Sequence, residues 1–209
     1  MTGIDKAARL ASDRAHLLHS QHHPSDHLDP QIWIAGEGAL ITNSEGDTYL
    51  DGLSGMWNVY LGHGRRELVD AASRQLATLA FASSYIGATN LPAIELAERL
   101  SELIYPAINA FFFTSGGAEA TESSIRTARY FWKAQDQPRK TKIIARRLSY
   151  HGSTLAAASA TGVPDFSEPF GPRLPDFLHI ESPYPYRFSG GCDWITPGVA
   201  SANLLVDSI

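Results

Sequence analysis

The stretch FFFTSGGAEATESS, residues 111–124, passes from three aromatic residues through two glycines into a run with helical spacing. A turn of this kind can hold an anion. The N–H groups of Gly116, Gly117, Ala118 and Glu119 would be among the donors that start a helix without an intrahelical partner, and the helix dipole favours negative charge there by about 0.3–2 kcal/mol. Gly117 has no Cβ to block a close approach, so a phosphate fits. No Lys-Ser or Lys-Thr pair follows the glycines, the dinucleotide fingerprint is not matched, and there is no G-x-S-x-G elbow. On pattern alone two readings stand: an anion site, or a tight strand-to-helix turn with Ser115 as the cap.

Other chemistry-bearing residues are less organised. His19, His22, His23 and His27 come with no cysteine and no consistent carboxylate spacing, so solvated arm residues are expected there and no metal. Ser153 has no identifiable base, and helix capping is its expected role.

The formal charge is −5 and the arginines are scattered, which excludes a counterion-releasing nucleic-acid surface and favours a small-molecule partner. Cys192 is the only cysteine, so no internal disulfide forms and a reducing compartment is expected. No apolar run approaches a membrane span, and the charged N-terminus is unlike a signal peptide, which points to the cytoplasm.

Residues 5–20 have a helical pattern with little apolar area, an arm that leans on something else. WIAGEGALITNSEGDTYLDGLSG gives short apolar runs broken by GEG and NSEGD, the pattern of small antiparallel strands. From Arg66, Leu68, Val69, Ala72, Leu76 and Leu79 mark one helix face, and a second helix follows Asn90 as N-cap and Pro92. NAFFFT reads as a buried strand, the segment after the glycines as a helix, and KIIAR as the next strand, together a βαβ unit with parallel strands. The Pro-, Gly- and aromatic-rich segment from Ser159 to Gly198 is expected to be a structured surface excursion with one strand at Phe177–Ile180, and a last helix starts near Val199.

FFFTSGGAEATESSIRTARYFW, DGLSGMWNVYLGHGRRE and SYHGST, in that relation, together with SPYPYR at 182–187, resemble the N-terminal half of class III aminotransferases. These are the ω-amino-acid type of pyridoxal 5′-phosphate (PLP) enzymes of fold type I. The resemblance runs from about Asp29 onward. It implies an α/β fold: part of a large domain at 65–209, a mostly parallel sheet with flanking helices, preceded by a helical arm and small antiparallel strands at 1–64 that belong to a small domain.

It also implies site roles. The phosphate loop falls on Gly116, Gly117 and Ala118, where many relatives have serine in place of Ala118. The ring-stacking aromatic falls on Tyr150, with His151 and Gly152 completing the motif. Trp57 matches a tryptophan at the substrate entrance, with a core tryptophan as its alternative. Tyr85 matches a region that reaches toward the neighbouring subunit, with a packing tyrosine as its alternative.

The implied activity is ping-pong transfer of an amino group from a primary amine or ω-amino acid to a keto acid, in a homodimer. Relatives also include aminomutases and decarboxylases. The chain has four lysines, Lys6, Lys133, Lys140 and Lys142, and none stands where a Schiff-base lysine is needed. Lys133 is about 16 residues past Gly117 on the same helix, on the order of 24 Å away. The catalytic lysine and the acid facing the pyridine nitrogen are therefore expected in a half that follows Ile209, which makes this chain an N-terminal portion, inactive alone. Two other readings remain: a non-catalytic fragment that only associates with another subunit, and another phosphate-binding α/β protein.

Overall fold

The computed structural model of the chain describes residues 3–20, 23–166, 168–184, 186 and 196–207. His22, Pro185, Arg187, Cys192 and Ile209, each part of an expectation above, lie outside the described residues. The chain divides into two compact units, Met1–Asn109 and Ala110–Ile209.

In the first unit the Asp5 carboxylate accepts the N–H of Ala8 at 3.0 Å and so caps helix α1, Lys6–His16. A 3-10 turn at Pro24–His27 leads to an antiparallel sheet of β1 (Trp33–Glu37), β2 (Leu40–Asn43) and β3 (Thr48–Leu50), in that order. The NSEGD turn between β2 and β3 closes on Asn43. Its fully buried side chain accepts the N–H groups of Glu45 at 3.0 Å and Asp47 at 2.8 Å, the local bonding that suits asparagine to turns.

The next segment has an uncommon backbone. Ser54, Gly55, Met56 and Trp57 have φ of 50°, 57°, 54° and 65°, one turn of left-handed helix. L-residues avoid this conformation at roughly 1–2 kcal/mol each, so neighbours must hold it. Asp51 Oδ2 accepts the Gly55 N–H at 2.8 Å, and Asn58 Nδ2 donates to the carbonyls of Gly55 and Met56, both at 3.0 Å. His63 Nε2, 2.9 Å from the same Asp51 oxygen, and the Gly55 N–H hold that carboxyl below its ordinary value.

Helix α2 covers Arg66–Thr78 and α3 covers Leu91–Leu103, where the 3.6-residue periodicity puts them. Asn90 caps α3 as expected, its Oδ1 accepting the Ala93 N–H at 3.0 Å.

In the second unit, α4 spans Gly117–Ala134, β4 Ile143–Arg146, α5 Leu155–Ala160, β5 Phe177–Ile180 and α6 Thr196–Asp207. β4 and β5 pair in parallel, Ile143 opposite Phe177 through Arg146 opposite Ile180, and the crossover between them contains α5. The parallel pair is thus not the one expected. Residues 109–114 form no strand and pair with none among the described residues, and Phe112 is 79% exposed. An apolar run becomes a strand only where a neighbouring strand accepts and donates its backbone hydrogen bonds, and periodicity does not report that.

The buried residues of this unit are small. Ala145 on β4, Ala156, Ala157, Ser159 and Ala160 on α5, and Thr161, form a core under the loop that joins β4 to α5.

Candidate functional site

The first residue of α4 is Gly117, and its N-cap is Gly116, in extended backbone at φ −166°. Ser115 is therefore not the cap, and Gly116 has no side chain to act as one. Among the described residues no acceptor meets the N–H groups of Gly117, Ala118 or Glu119. A Cβ built on Gly117 would meet nothing within 4 Å, so the approach to these donors is open. Thr114 Oγ1 donates to the Gly116 carbonyl at 3.0 Å and Thr121 Oγ1 lies 3.1 Å from the Gly117 carbonyl, which fixes the turn from both sides.

The loop after β4 lies against this turn. A Cβ on Gly152, at φ +129°, would lie 2.7 Å from the Ala118 Cβ and 3.0 Å from the Ala157 Cβ. Glycine is required here by conformation and by space. Gly152 thus lies in contact with the helix start. Thr121 Oγ1 also lies 3.0 Å from the His151 carbonyl, and the His151 N–H donates to Thr161 Oγ1 at 3.0 Å. His151 Nε2 is 3.2 Å from the Ser149 hydroxyl. Further back, Gly162 donates to the Ser149 carbonyl at 2.8 Å. A Cβ on Gly162 would sit 2.2 Å from the Arg146 carbonyl oxygen.

Tyr150 projects from this braced loop. It is 55% exposed, and Phe166 meets its ring edge-on with centroids 5.6 Å apart. One part of the ring is thereby positioned and the rest is free to take a flat partner.

Glu122, one turn and a half into α4, was not singled out by sequence. Its Oε1 accepts the Thr154 hydroxyl at 2.7 Å and the N–H groups of Ala156 at 2.8 Å and Ala157 at 3.2 Å. It is the cap of α5 supplied from another helix, and it replaces the capping role expected of Ser153. Burial alone pushes its carboxyl up; the Thr154 hydroxyl, the two N–H groups and the Arg126 charge outweigh this and hold it below its ordinary value. His179 on β5 lies under the same loop with Nε2 3.0 Å from the Ala160 carbonyl, and burial holds its pKa below the ordinary value.

Gly116, Gly117, Ala118, Tyr150, His151 and Gly152 thus belong to one cluster. Trp57 and Tyr85 belong to the first unit. Both are exposed, at 62% and 77%, so neither is a core residue of that unit. No helix among the described residues is long and apolar enough to cross a membrane.

A helix start with open donors beside an aromatic-bearing loop of a parallel α/β unit is an arrangement able to take a phosphorylated, flat ligand. The chain belongs to the class-III aminotransferase family, whose model matches residues 23–196. It is 36% identical over 179 residues to a putrescine–pyruvate aminotransferase of Pseudomonas aeruginosa, covering 86% of this chain and 39% of that protein. An (S)-enantioselective ω-transaminase of Thermomicrobium roseum has a structure similar to it with a TM-score of 0.92 at 43% identity, over 100% of this chain and 47% of that one. The ω-transaminase of Pseudomonas jessenii in complex with PMP matches with a TM-score of 0.90 at 33% identity, over 95% of this chain and 45% of that one. The chain spans less than half the length of these relatives.

Proposed function

We propose that this chain carries the phosphate and ring cradle of a PLP-dependent aminotransferase that moves an amino group from a primary amine or ω-amino acid to a keto acid. One observation carries the reading: the open N-terminus of α4 and the Tyr150 loop are fastened together through Gly152 against Ala118 and Thr121 against the His151 carbonyl. The donor set fits the cofactor, with N–H groups and a helix dipole for the phosphate and an exposed aromatic face for the ring. When bound, PLP supplies an electron sink that lets a proton leave the amine-bearing carbon.

The residues of this chain bind and orient. Gly117 and Ala118 hold the phosphate with backbone N–H groups, and Gly116 lets it approach. Tyr150 stacks on the ring, while His151 and Gly152 hold Tyr150 at the proper height through their main chains. Trp57 and Tyr85 form walls of the substrate entrance, Tyr85 on the side of a neighbouring subunit in a homodimer. Residues 1–64 belong in this reading to the small domain and 65–209 to the large one, in a cytoplasmic protein.

Proton transfer is assigned to none of the four lysines of this chain. In support, Lys6 is paired with Asp29 and Glu45, both at 3.2 Å, in the first unit. Lys140 sits 3.5 Å over the Trp132 ring, and Lys133 is in the last turn of α4, far from Gly117. Lys142 stands just before β4, whose other end carries the Tyr150 loop.

The test is binding of PLP and PMP to the chain, with pyridoxamine lacking phosphate and a nucleotide as comparisons. PLP and PMP are expected to bind about tenfold or more tightly than pyridoxamine, with inorganic phosphate competing. Borohydride treatment followed by mass spectrometry is expected to leave every lysine unmodified. A specific lysine adduct would overturn the lysine assignment, and a preference for the nucleotide would overturn the cofactor. A chain that binds neither and only associates would support the non-catalytic reading.

A further inference from the structure

A second cluster of chemically capable side chains lies in the first unit. Asp13 on α1, His19 in the segment after it and His27 at the end of the 3-10 turn meet at an open cleft of about 470 Å³, which Leu10 and Leu17 also line. His19 Nε2 is 2.9 and 3.0 Å from the two Asp13 carboxylate oxygens. His27 Nε2 is 3.6 Å from Asp13 Oδ2, and the two imidazole rings tilt at 40° with centroids 4.0 Å apart. All three side chains are half-buried. The carboxylate that no sequence spacing supplied comes from the preceding helix.

We propose that Asp13, His19 and His27 form a binding site for a divalent transition-metal ion, Zn²⁺ by its ligand set. Tetrahedral Zn²⁺ with ligands at about 2.0–2.1 Å holds them about 3.3 Å from one another. The nitrogen-to-carboxylate distances of 2.9 and 3.6 Å bracket that spacing, and one ligand atom from each residue lies within 4.8 Å of the others. Side-chain rotation is needed to bring the three ligands onto one ion. Two imidazoles and one carboxylate suit Zn²⁺, Co²⁺, Ni²⁺ or Cu²⁺, whereas Mg²⁺ and Ca²⁺ take oxygen ligands. With three protein ligands, Zn²⁺ takes water in its fourth position. The ion joins the end of α1 to the turn at Pro24–His27 and fixes the course of the N-terminal arm, and because it binds deprotonated ligands its affinity falls as pH is lowered.

The test uses the full chain freed of metal with a chelator and titrated at pH 7.5 with Zn²⁺ alone, then with Co²⁺ as the optical probe. The expected result is uptake of one ion, visible Co²⁺ bands of a four- or five-coordinate site, and no displacement by millimolar Mg²⁺. Asp13→Asn, His19→Gln and His27→Gln are each expected to weaken uptake by at least about tenfold and abolish the Co²⁺ bands. His23→Gln removes a neighbouring histidine whose ring faces Ser25, and is expected to leave both unchanged. Circular dichroism of each variant separates loss of a ligand from loss of the fold. Absence of one-ion uptake, uptake equal in wild type and all three ligand variants, or loss caused by His23→Gln in a folded chain would each overturn the site.

Discussion

Gly152 and Ala118 touch: a methyl group on the first would come within 2.7 Å of the second's Cβ. Gly152→Ala must therefore push the Tyr150 loop off the start of α4, and it also puts a side chain on a φ of +129°. The expected cost is about 2–4 kcal/mol by urea unfolding, with weaker PLP binding. A variant as stable as the wild type would mean that the two elements are not fastened there.

Tyr150 answers a different question, because its exposed ring contributes little to the fold. Tyr150→Ala is expected to lower PLP affinity about three- to tenfold while unfolding changes little, and Tyr150→Phe to retain it. Equal loss in both variants would point to the hydroxyl rather than the ring face.

Glu122 caps α5 with a charged group, so its contribution depends on pH. Its carboxyl is held below its ordinary value when folded, so the unfolded chain binds more protons. Stability is therefore full above the ordinary carboxylate range and is lost as pH falls through it. Glu122→Ala is expected to cost about 1–2 kcal/mol at neutral pH. Glu122→Gln should flatten the acid limb of a plot of stability against pH.

His179 has the same sign through a different route. Burial holds its pKa below the usual value, so on lowering pH the unfolded chain takes up a proton that the folded chain refuses. Stability is expected to be complete above about pH 6.5 and to fall below it. His179→Gln, with an amide N–H to offer the Ala160 carbonyl, should remove this pH dependence in melting curves taken between pH 8 and 5.5.

The left-handed turn gives a fifth expectation. Met56→Gly places glycine at a φ of 54° and is expected to be neutral or stabilising by up to about 1 kcal/mol. Gly55→Ala adds a Cβ 3.0 Å from Val59 Cγ2 on a φ of 57° and should destabilise by about 1–2 kcal/mol. Chemical denaturation of both variants checks the pair.

Much of the fold was legible because its rules are local. Leucine spacing marks α2 and α3, Asn90 announces a cap that it makes, and Phe177–Ile180 is a strand to the residue. What escaped depends on partners distant in sequence. NAFFFT is as apolar as a buried strand but has no strand paired with it among the described residues. Glu122 caps a helix that starts 33 residues later, so Ser153 looked like the nearer candidate. Asp13 meets His27 only because the chain folds back after α1. Gly116 and Gly117 were visible as the start of a helix, but that Gly116, not Ser115, occupies the N-cap depends on the backbone conformation of the turn.

The turn from Ser54 to Trp57 bears on how this protein can change over time. Trp57 holds an indole, at 62% exposure, on backbone that glycine adopts freely. Shortening a buried aromatic leaves a hole and costs about 3–5 kcal/mol, but here no hole forms and a move to glycine relieves strain. A position that lines a substrate entrance, as proposed for Trp57, can therefore be cut back or rebuilt by selection with little penalty to folding. Such a position is a natural hinge of evolution from one substrate to another, with the main chain preserved and the side chain open to trial.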